Sequence, residues 1–351
     1  MSNAAHPDTQ TRPGDMAPVL SVKNLKKHFP IKSGVFGRVT GHVKAVDGVS
    51  FDVHAGETFG LVGESGCGKS TTGQVILRLL NATSGSVLYK GEDVYAANSK
   101  RMRALRKEIQ IVFQDPYSAL NPRMTVGSAI KEILAVNGIA KGAAADKKVG
   151  EVLTLCGLQP YHADRYPHEF SGGQRQRVVI ARALALDPQV IVADEPISAL
   201  DVSIQSQIIN LLEDLQEKLD LTYLFVSHDL SVVKHIADRV GVMYLGKLVE
   251  VSDKREFYAN PLHPYSQSLL DAIPVSDPAH RRKRHVISGD VPSPANPPAG
   301  CPFHTRCPHV MPVCKEVVPK LLPTENGHYA ACHLVHPPEK SIEADAAEAG
   351  A

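Results

Sequence analysis

Gly63-Glu64-Ser65-Gly66-Cys67-Gly68-Lys69-Ser70 has the spacing G-x-x-x-x-G-K-S. Glycines at these positions let consecutive backbone N–H groups close around phosphate oxygens. An apolar run precedes the segment and a helical pattern from Thr71 follows it, so the positive end of a helix adds to the anion site. In such a loop Lys69 bridges the β and γ phosphates, and the Ser70 hydroxyl coordinates Mg²⁺. The bland alternative is a glycine-rich turn with an exposed lysine, and the flanking strand and helix patterns argue against it.

Further chemistry gathers at the ends of apolar runs. Residues 190–193 lead into Asp194-Glu195-Pro196, two carboxylates at the edge where open α/β sheets bind ligands. Asp194 suits the Mg²⁺ shell, and Glu195 suits orienting or deprotonating an attacking water. Alone, the tripeptide reads as a solvated strand end; beside a phosphate loop it reads as hydrolytic. Residues 223–226 end in Ser227-His228-Asp229, which sets an imidazole at the same edge for a γ-phosphate contact. Gln114 follows residues 109–113 in the same way, within reach of Mg²⁺ or the water. Ser171-Gly172-Gly173-Gln174 opens a helix carrying Arg175, Arg177 and Arg182. A Ser-Gly-Gly start suits an anion, although alone it is an N-cap before a basic solvated face.

Cys301, Cys307, Cys314 and Cys332 are separated by five, six and seventeen residues in a Pro-rich stretch with little apolar sequence for a core. Four clustered thiolates fit a Cys₄ site; tetrahedral sulfur suits zinc or an iron–sulfur cluster, and spacing does not choose between them. A structural role is expected, since these cysteines lie far in sequence from the phosphate loop. Cys67 fills a small-residue slot in that loop, and Cys156 sits in an apolar helix, so neither needs a metal. The basic run at residues 281–284 reads as solvated surface, with lipid headgroups as the alternative.

Positioning these groups requires a sheet. Short apolar runs at residues 58–62, 109–113, 190–193, 223–226 and 240–244 read as buried parallel strands. Helical spacing marks residues 71–80, 174–186 and 203–219, and the alternation predicts an α/β fold with a parallel sheet covered by helices. Residues 20–27 alternate like an edge strand. Residues 116–167 hold no strand candidate and read as a helical insertion. Beyond His263 proline becomes dense and a smaller module begins, while residues 337–351, Ala-rich and acidic, read as a disordered tail. No internal repeat is present.

The 351 residues suffice for about two domains. With Lys and Arg totalling 38 against 37 Asp and Glu, no broad field favours nucleic acid as a partner. Hydrophobic content of 43% and charged content of 21% exclude wholesale disorder or coiled coil. The uncharged stretch at residues 291–305 contains five prolines and falls short of the ~20 apolar residues of a membrane span. Residues 1–18 are polar and lack the apolar core of a secretory signal, so a reducing cytoplasm is expected, where cysteines favour metals or free thiols.

In this order, these motifs resemble those of the ATP-binding subunit of ABC transporters. Phe29 is similar to the aromatic that stacks on adenine, and the phosphate loop with Thr71 to the first Walker motif. Gln114 resembles the Q-loop, Ser171 to Gln174 the signature, Ser198 to Asp201 the D-loop, and His228 the switch histidine. Phe170 stands where Leu is commonest in the family and Ile197 where Thr is usual; neither removes a phosphate donor. The resemblance implies a P-loop ATPase domain over residues 19–262 with antiparallel N-terminal strands and a helical subdomain at about 116–185. It also implies two such subunits sandwiching two ATP molecules, each held by one subunit's phosphate loop and the other's signature.

His263-Pro264-Tyr265, Ser268-Leu269-Leu270, residues 289–298 and the cysteines resemble the C-terminal extension of dipeptide and oligopeptide permeases, here residues 263–336. That resemblance implies an F-type subunit at the cytoplasmic face of the bacterial inner membrane, driving peptide uptake. Its implied partners are a D-type ATPase, two membrane permease subunits and an external substrate-binding protein. Related permeases carry glutathione or nickel. The resemblance also tips the Cys₄ site toward a [4Fe–4S] cluster, with zinc the alternative. A soluble ABC ATPase and a redox-sensing adaptor are the competing readings.

Overall fold

The computed structural model describes residues 17–34, 37–273, 289–324 and 326–349. The first two strands, β1 (Leu20–Ser33) and β2 (Arg38–Val53), pair antiparallel along most of their length. Next, β3 (Thr58–Val62) runs into the phosphate loop and α1 (Lys69–Ile76). Then come β4 (Ser84–Tyr89), β5 (Glu92–Asp93), α2 (Ser99–Glu108) and β6 (Ile109–Val112). A helical stretch holds α3 (Pro116–Ala119), α4 (Val126–Val136), α5 (Ala143–Leu155) and α6 (Gly172–Leu184). The chain re-enters the sheet through β7 (Val190–Asp194), α7 (Val202–Leu219), β8 (Thr222–Ser227), α8 (Leu230–Ile236), β9 (Arg239–Tyr244) and β10 (Lys247–Asp253). It ends with α9 (Lys254–Ala259), α10 (Pro264–Asp271), β11 (Leu322–Pro323), β12 (Tyr329–Ala330) and α11 (Pro338–Ala349).

The larger sheet runs β11-β12-β10-β9-β3-β8-β7-β6, and the smaller β2-β1-β4-β5. Strands β9, β3, β8, β7 and β6 are mutually parallel. Apart from Gln110 and residues at the strand ends they are apolar, because both faces are covered. Val190, Val192, Leu224 and Val226 face a core shared with the smaller sheet, where Phe51 stacks on Phe59 at 4.8 Å. Ile191, Ala193, Tyr223 and Phe225 face a second core shared with α4, α5 and α6. The five runs expected as strands become β3, β6, β7, β8 and β9, each within one residue at either end. Residues 116–167 are helical without a strand.

Three expectations need correction. β1 lies between β2 and β4 and is not an edge strand; its alternation reports which face is buried, and both faces and edges of an inner strand can coexist with that pattern. The helix expected to Leu80 ends at Ile76, because Arg78 turns to φ 52° and sends its guanidinium to the Val94 and Ala97 carbonyls at 3.1 and 2.8 Å. The C-terminal stretch expected to be disordered contains α11, started by Pro338 and rich in Ala and Glu. Ser341 is buried there, its Oγ accepting from the Lys320 N–H at 3.2 Å. Residues 1–16 and the basic run at 281–284 lie outside the described residues.

Among the described residues, the C-terminal extension builds no core of its own. Cys301, Phe303 and Cys314 belong to the core of the main sheet, and β12 extends that sheet by pairing with β10.

Candidate functional site

The phosphate loop is shaped by neighbours that leave no room for side chains. Gly68 has φ 109° and Gly63 φ 151°. A Cβ on Gly68 would overlap the Ala45 carbonyl oxygen of β2, and one on Gly63 the Met243 carbonyl oxygen of β9. Lys69 is buried, its Nζ donating to the Gly63 carbonyl at 2.8 Å and the Glu64 carbonyl at 3.0 Å. Ser70 Oγ donates to Asp194 Oδ1 at 2.7 Å. Burial pushes the Asp194 carboxyl up, the Ser70 hydrogen bond pulls it down, and Glu195 and Lys69 act in opposite senses on it.

Glu195 is the point on which three strand ends converge. Its φ of 47° is unusual for a residue with a side chain; such strain persists where the surroundings over-determine it. Here the Glu195 N–H donates to the Val226 carbonyl of β8 at 2.9 Å. Glu195 Oε2 accepts from Gln114 Nε2 at 3.0 Å and lies 3.2 Å from His228 Nδ1, while Oε1 is 4.0 Å from Lys69 Nζ. Gln114 thus gives its amide N–H to Glu195, which leaves its oxygen for a cation.

A cavity of about 210 Å³ opens here, lined by Ser65, Gly66, Gly68, Lys69, Ser70, Thr71, Gln114 and Glu195. Val43, Ala45 and Pro294 complete its lining. Its volume is below the about 300–1,000 Å³ that encloses a ligand of drug size. Gly63, Glu64, Cys67, Asp194 and His228 stand behind or beside its wall. Phe29 pairs with Val43 across β1 and β2 and has Lys27 Nζ 4.9 Å from its ring.

The structure does not bring the Ser171 to Gln174 turn or Asp201 to this cavity. Ser171 caps α6 reciprocally: its Oγ accepts from the Gln174 N–H at 3.3 Å, and Gln174 Oε1 accepts from the Ser171 N–H at 3.1 Å. A Cβ on Gly172 would lie 3.3 Å from Leu200, so the start of α6 packs on the segment that precedes α7. Phe170 and Ile197 are both buried, Phe170 edge-on to His162 at 5.4 Å.

None of the six cysteines is joined in a disulfide. The thiols of Cys301, Cys307, Cys314 and Cys332 are close enough to feel one another's charge. Burial pushes Cys301 up to about 12 and Cys332 up to about 11, and the neighbouring sulfurs add to both. Among the described residues, no three His, Cys, Asp or Glu side chains converge closely enough to hold one metal ion. Raised this way, the thiols of Cys301, Cys307 and Cys332 stay protonated unless positive charge lies between them. For Mg²⁺ the fit is simpler: Ser70 and Asp194 supply oxygens, and this ion takes most of its ligands from phosphate and water.

Sequence reasoning missed Val43, Ala45 and Pro294 in the cavity wall, and missed Tyr265 and Arg306 against Glu64. It treated the cysteine segment as remote from the phosphate loop, yet Arg306 Nη1 lies 2.7 Å from Glu64 Oε2. No local pattern signals a contact between residues this far apart along the chain.

The ABC transporter family matches residues 46–198, and the family described as oligopeptide/dipeptide transporter, C-terminal region, matches residues 249–314. The oligopeptide transport ATP-binding protein AppF of Bacillus subtilis (strain 168) is 56% identical over 319 residues, covering 90% of this chain and 97% of AppF. Among solved structures, cbiO1 from Clostridium perfringens, part of the ABC transporter complex cbiONQ, superposes with a TM-score of 0.59 at 30% identity. It covers 69% of this chain and 91% of that one. A dimeric post-hydrolysis state of the ATP-binding cassette MJ0796, bound to ADP and Pi, gives 0.59 at 29% identity, covering 67% and 99%. With the phosphate loop, the Glu195 cluster and both matched segments in one chain, this protein belongs to the ATP-binding subunits of ABC transporters, in their oligopeptide/dipeptide branch.

Proposed function

We propose that this chain is the ATP-hydrolysing subunit of an ABC importer for dipeptides or oligopeptides. The observation that carries the reading is Glu195, held by Gln114 and His228 at the rim of the phosphate-loop cavity. Loop N–H groups and Lys69 take the β and γ phosphates, and Phe29 meets the adenine. Ser70, Asp194 and Gln114 would hold Mg²⁺, which would supply positive charge to the phosphates. Glu195 accepts a proton from the water that attacks the γ-phosphorus, in a step where positioning and electrostatics do most of the work. His228 steadies the γ-phosphate.

The opposite wall comes from a second ATPase subunit, whose Ser171-to-Gln174 equivalent faces this cavity while the α6 N-terminus of this chain serves the partner's ATP. In support, the cavity is open and none of these four residues lines it. Residues 19–262 act as the ATPase unit with 116–185 as its helical part, and 263–336 as the extension. Tyr117, Tyr161 and Tyr166 are exposed on the helical part and suit docking of two membrane permease subunits at the cytoplasmic face. No helix among the described residues is long and apolar enough to cross a membrane. The substrate-binding protein engages the permease subunits. Cys301, Cys307, Cys314 and Cys332 would hold a [4Fe–4S] cluster, which would supply the positive charge their sulfurs need to ionise and would tie the extension together.

The Lys69→Ala variant tests the site: it is expected to lose ATP binding and phosphate release together. Wild-type affinity for ATP in that variant would remove the phosphate loop from the mechanism.

A further inference from the structure

We propose that the C-terminal extension braces the phosphate loop by gripping Glu64, which makes Arg306 and Tyr265 positioning residues for nucleotide binding. The proposal rests on the phosphate loop being the ATP site.

Glu64 is the second residue of that loop, and two separate parts of the extension hold it. Arg306 forms a two-pronged ion pair with its carboxylate, Nη1 to Oε2 at 2.7 Å and Nη2 to Oε1 at 3.0 Å. Paired prongs fix direction as well as charge. The Arg306 side chain is only 6% exposed. The Glu64 backbone N–H donates to the Tyr265 hydroxyl at 2.8 Å. Tyr265 in α10 is fully buried, its ring 4.7 Å from Tyr244 and 5.4 Å from Phe303. Arg306 in turn lies 5.8 Å over the Tyr244 ring and donates to its hydroxyl at 3.4 Å. Side chain and backbone of one loop residue are therefore both anchored to residues beyond position 262.

Electrostatics explains why this matters for a polyphosphate. A carboxylate within a phosphate loop repels, at short range, the ligand the loop must accept. Arg306 cancels that charge, and Glu64 does not line the cavity. Tyr265 takes up the Glu64 N–H, so phosphate coordination falls to the later loop N–H groups. The extension also reaches the cavity from its other side: the Lys44 N–H donates to the Pro294 carbonyl at 3.0 Å, and Pro294 is part of the wall. The path of Arg306 is set by the cysteine segment around it, where the Cys301 N–H donates to the Cys314 carbonyl at 2.8 Å.

Equilibrium binding of ATP·Mg to the full chain, with steady-state hydrolysis alongside, tests the brace. Arg306→Met leaves the Glu64 carboxylate unpaired and is expected to raise the ATP Kd about tenfold or more, with kcat at saturating ATP largely retained. Combining it with Glu64→Gln removes the stranded charge and is expected to bring Kd back to within about threefold of wild type. A merely structural ion pair would lower the thermal midpoint in Arg306→Met and leave the Kd for ATP unchanged. Arg306→Lys, which keeps the charge but loses the fork, should fall between. Unchanged Kd in Arg306→Met, or a double variant as weak as the single, overturns the proposal. If Arg306→Met melts before it can be assayed, Arg306→Lys and the double variant carry the same comparison. Lys69→Ala, run in parallel, separates the two failures: loss of ATP there with no effect at Arg306 rejects the brace alone.

Discussion

Glu195 works because of what constrains it. A left-handed backbone, an N–H tied to β8 and a carboxylate shared between an amide and an imidazole leave it one orientation, aimed into the cavity. Replacing it by Gln keeps size and hydrogen bonding and removes the proton acceptor. Glu195→Gln is therefore expected to bind ATP with near wild-type affinity while phosphate release falls by about 10²–10⁴-fold, the usual worth of a general base. Full turnover in that variant would reassign the base.

At the level of elements, the join between β10 and α10 is held by buried polar groups. Glu250 is fully buried and accepts from the Leu262 and His263 N–H groups at 2.9 and 2.8 Å and from His328 at 2.7 Å. His263 caps α10 through Nδ1, which accepts from the Tyr265 N–H at 3.0 Å and so carries no proton there. Burial lowers His263 to about 4, against a smaller opposing pull from Glu250. The folded pKa lies below the unfolded value of 6.5, so the unfolded chain binds the proton first. This contribution to stability is complete above about pH 6.5 and is lost as pH falls toward 4, amounting to about 3 kcal/mol. His263→Asn preserves an N-cap acceptor without the titration. Urea unfolding at pH 7 and pH 4.5 should show a shallower acid loss for that variant; equal losses would exclude His263 as a source.

For the whole molecule, the cysteine segment is anchored at three points. It shares the main core through Phe303, extends the main sheet through β12, and carries Arg306 to the phosphate loop. Protein purified without oxygen is expected to be brown, with visible absorbance and iron in about fourfold excess over chain, as a [4Fe–4S] cluster requires. Stripping the iron should lower the thermal midpoint. A colourless preparation carrying one zinc per chain would exclude the cluster.

Chemistry written in contiguous residues was legible in the sequence. The phosphate loop, Asp194-Glu195 and His228 each follow an apolar run, and parallel strands deliver their ends to one edge, so adjacency in sequence implied adjacency in space. Strand positions followed for the same reason, because burial on both faces leaves unbroken apolar runs. Pairing partners do not leave such a mark, which is why β1 read as an edge strand although it lies inside its sheet. The α11 stretch reads as disorder from its polarity and lack of an apolar pattern, yet its Ala and Glu are strong helix formers and it folds as a helix. Folding alone joined Glu64 to Arg306, 242 residues apart, and set Pro294 beside Val43. Neither contact has a repeat, a period or a neighbouring motif to announce it; both arise from how the extension packs against the sheet.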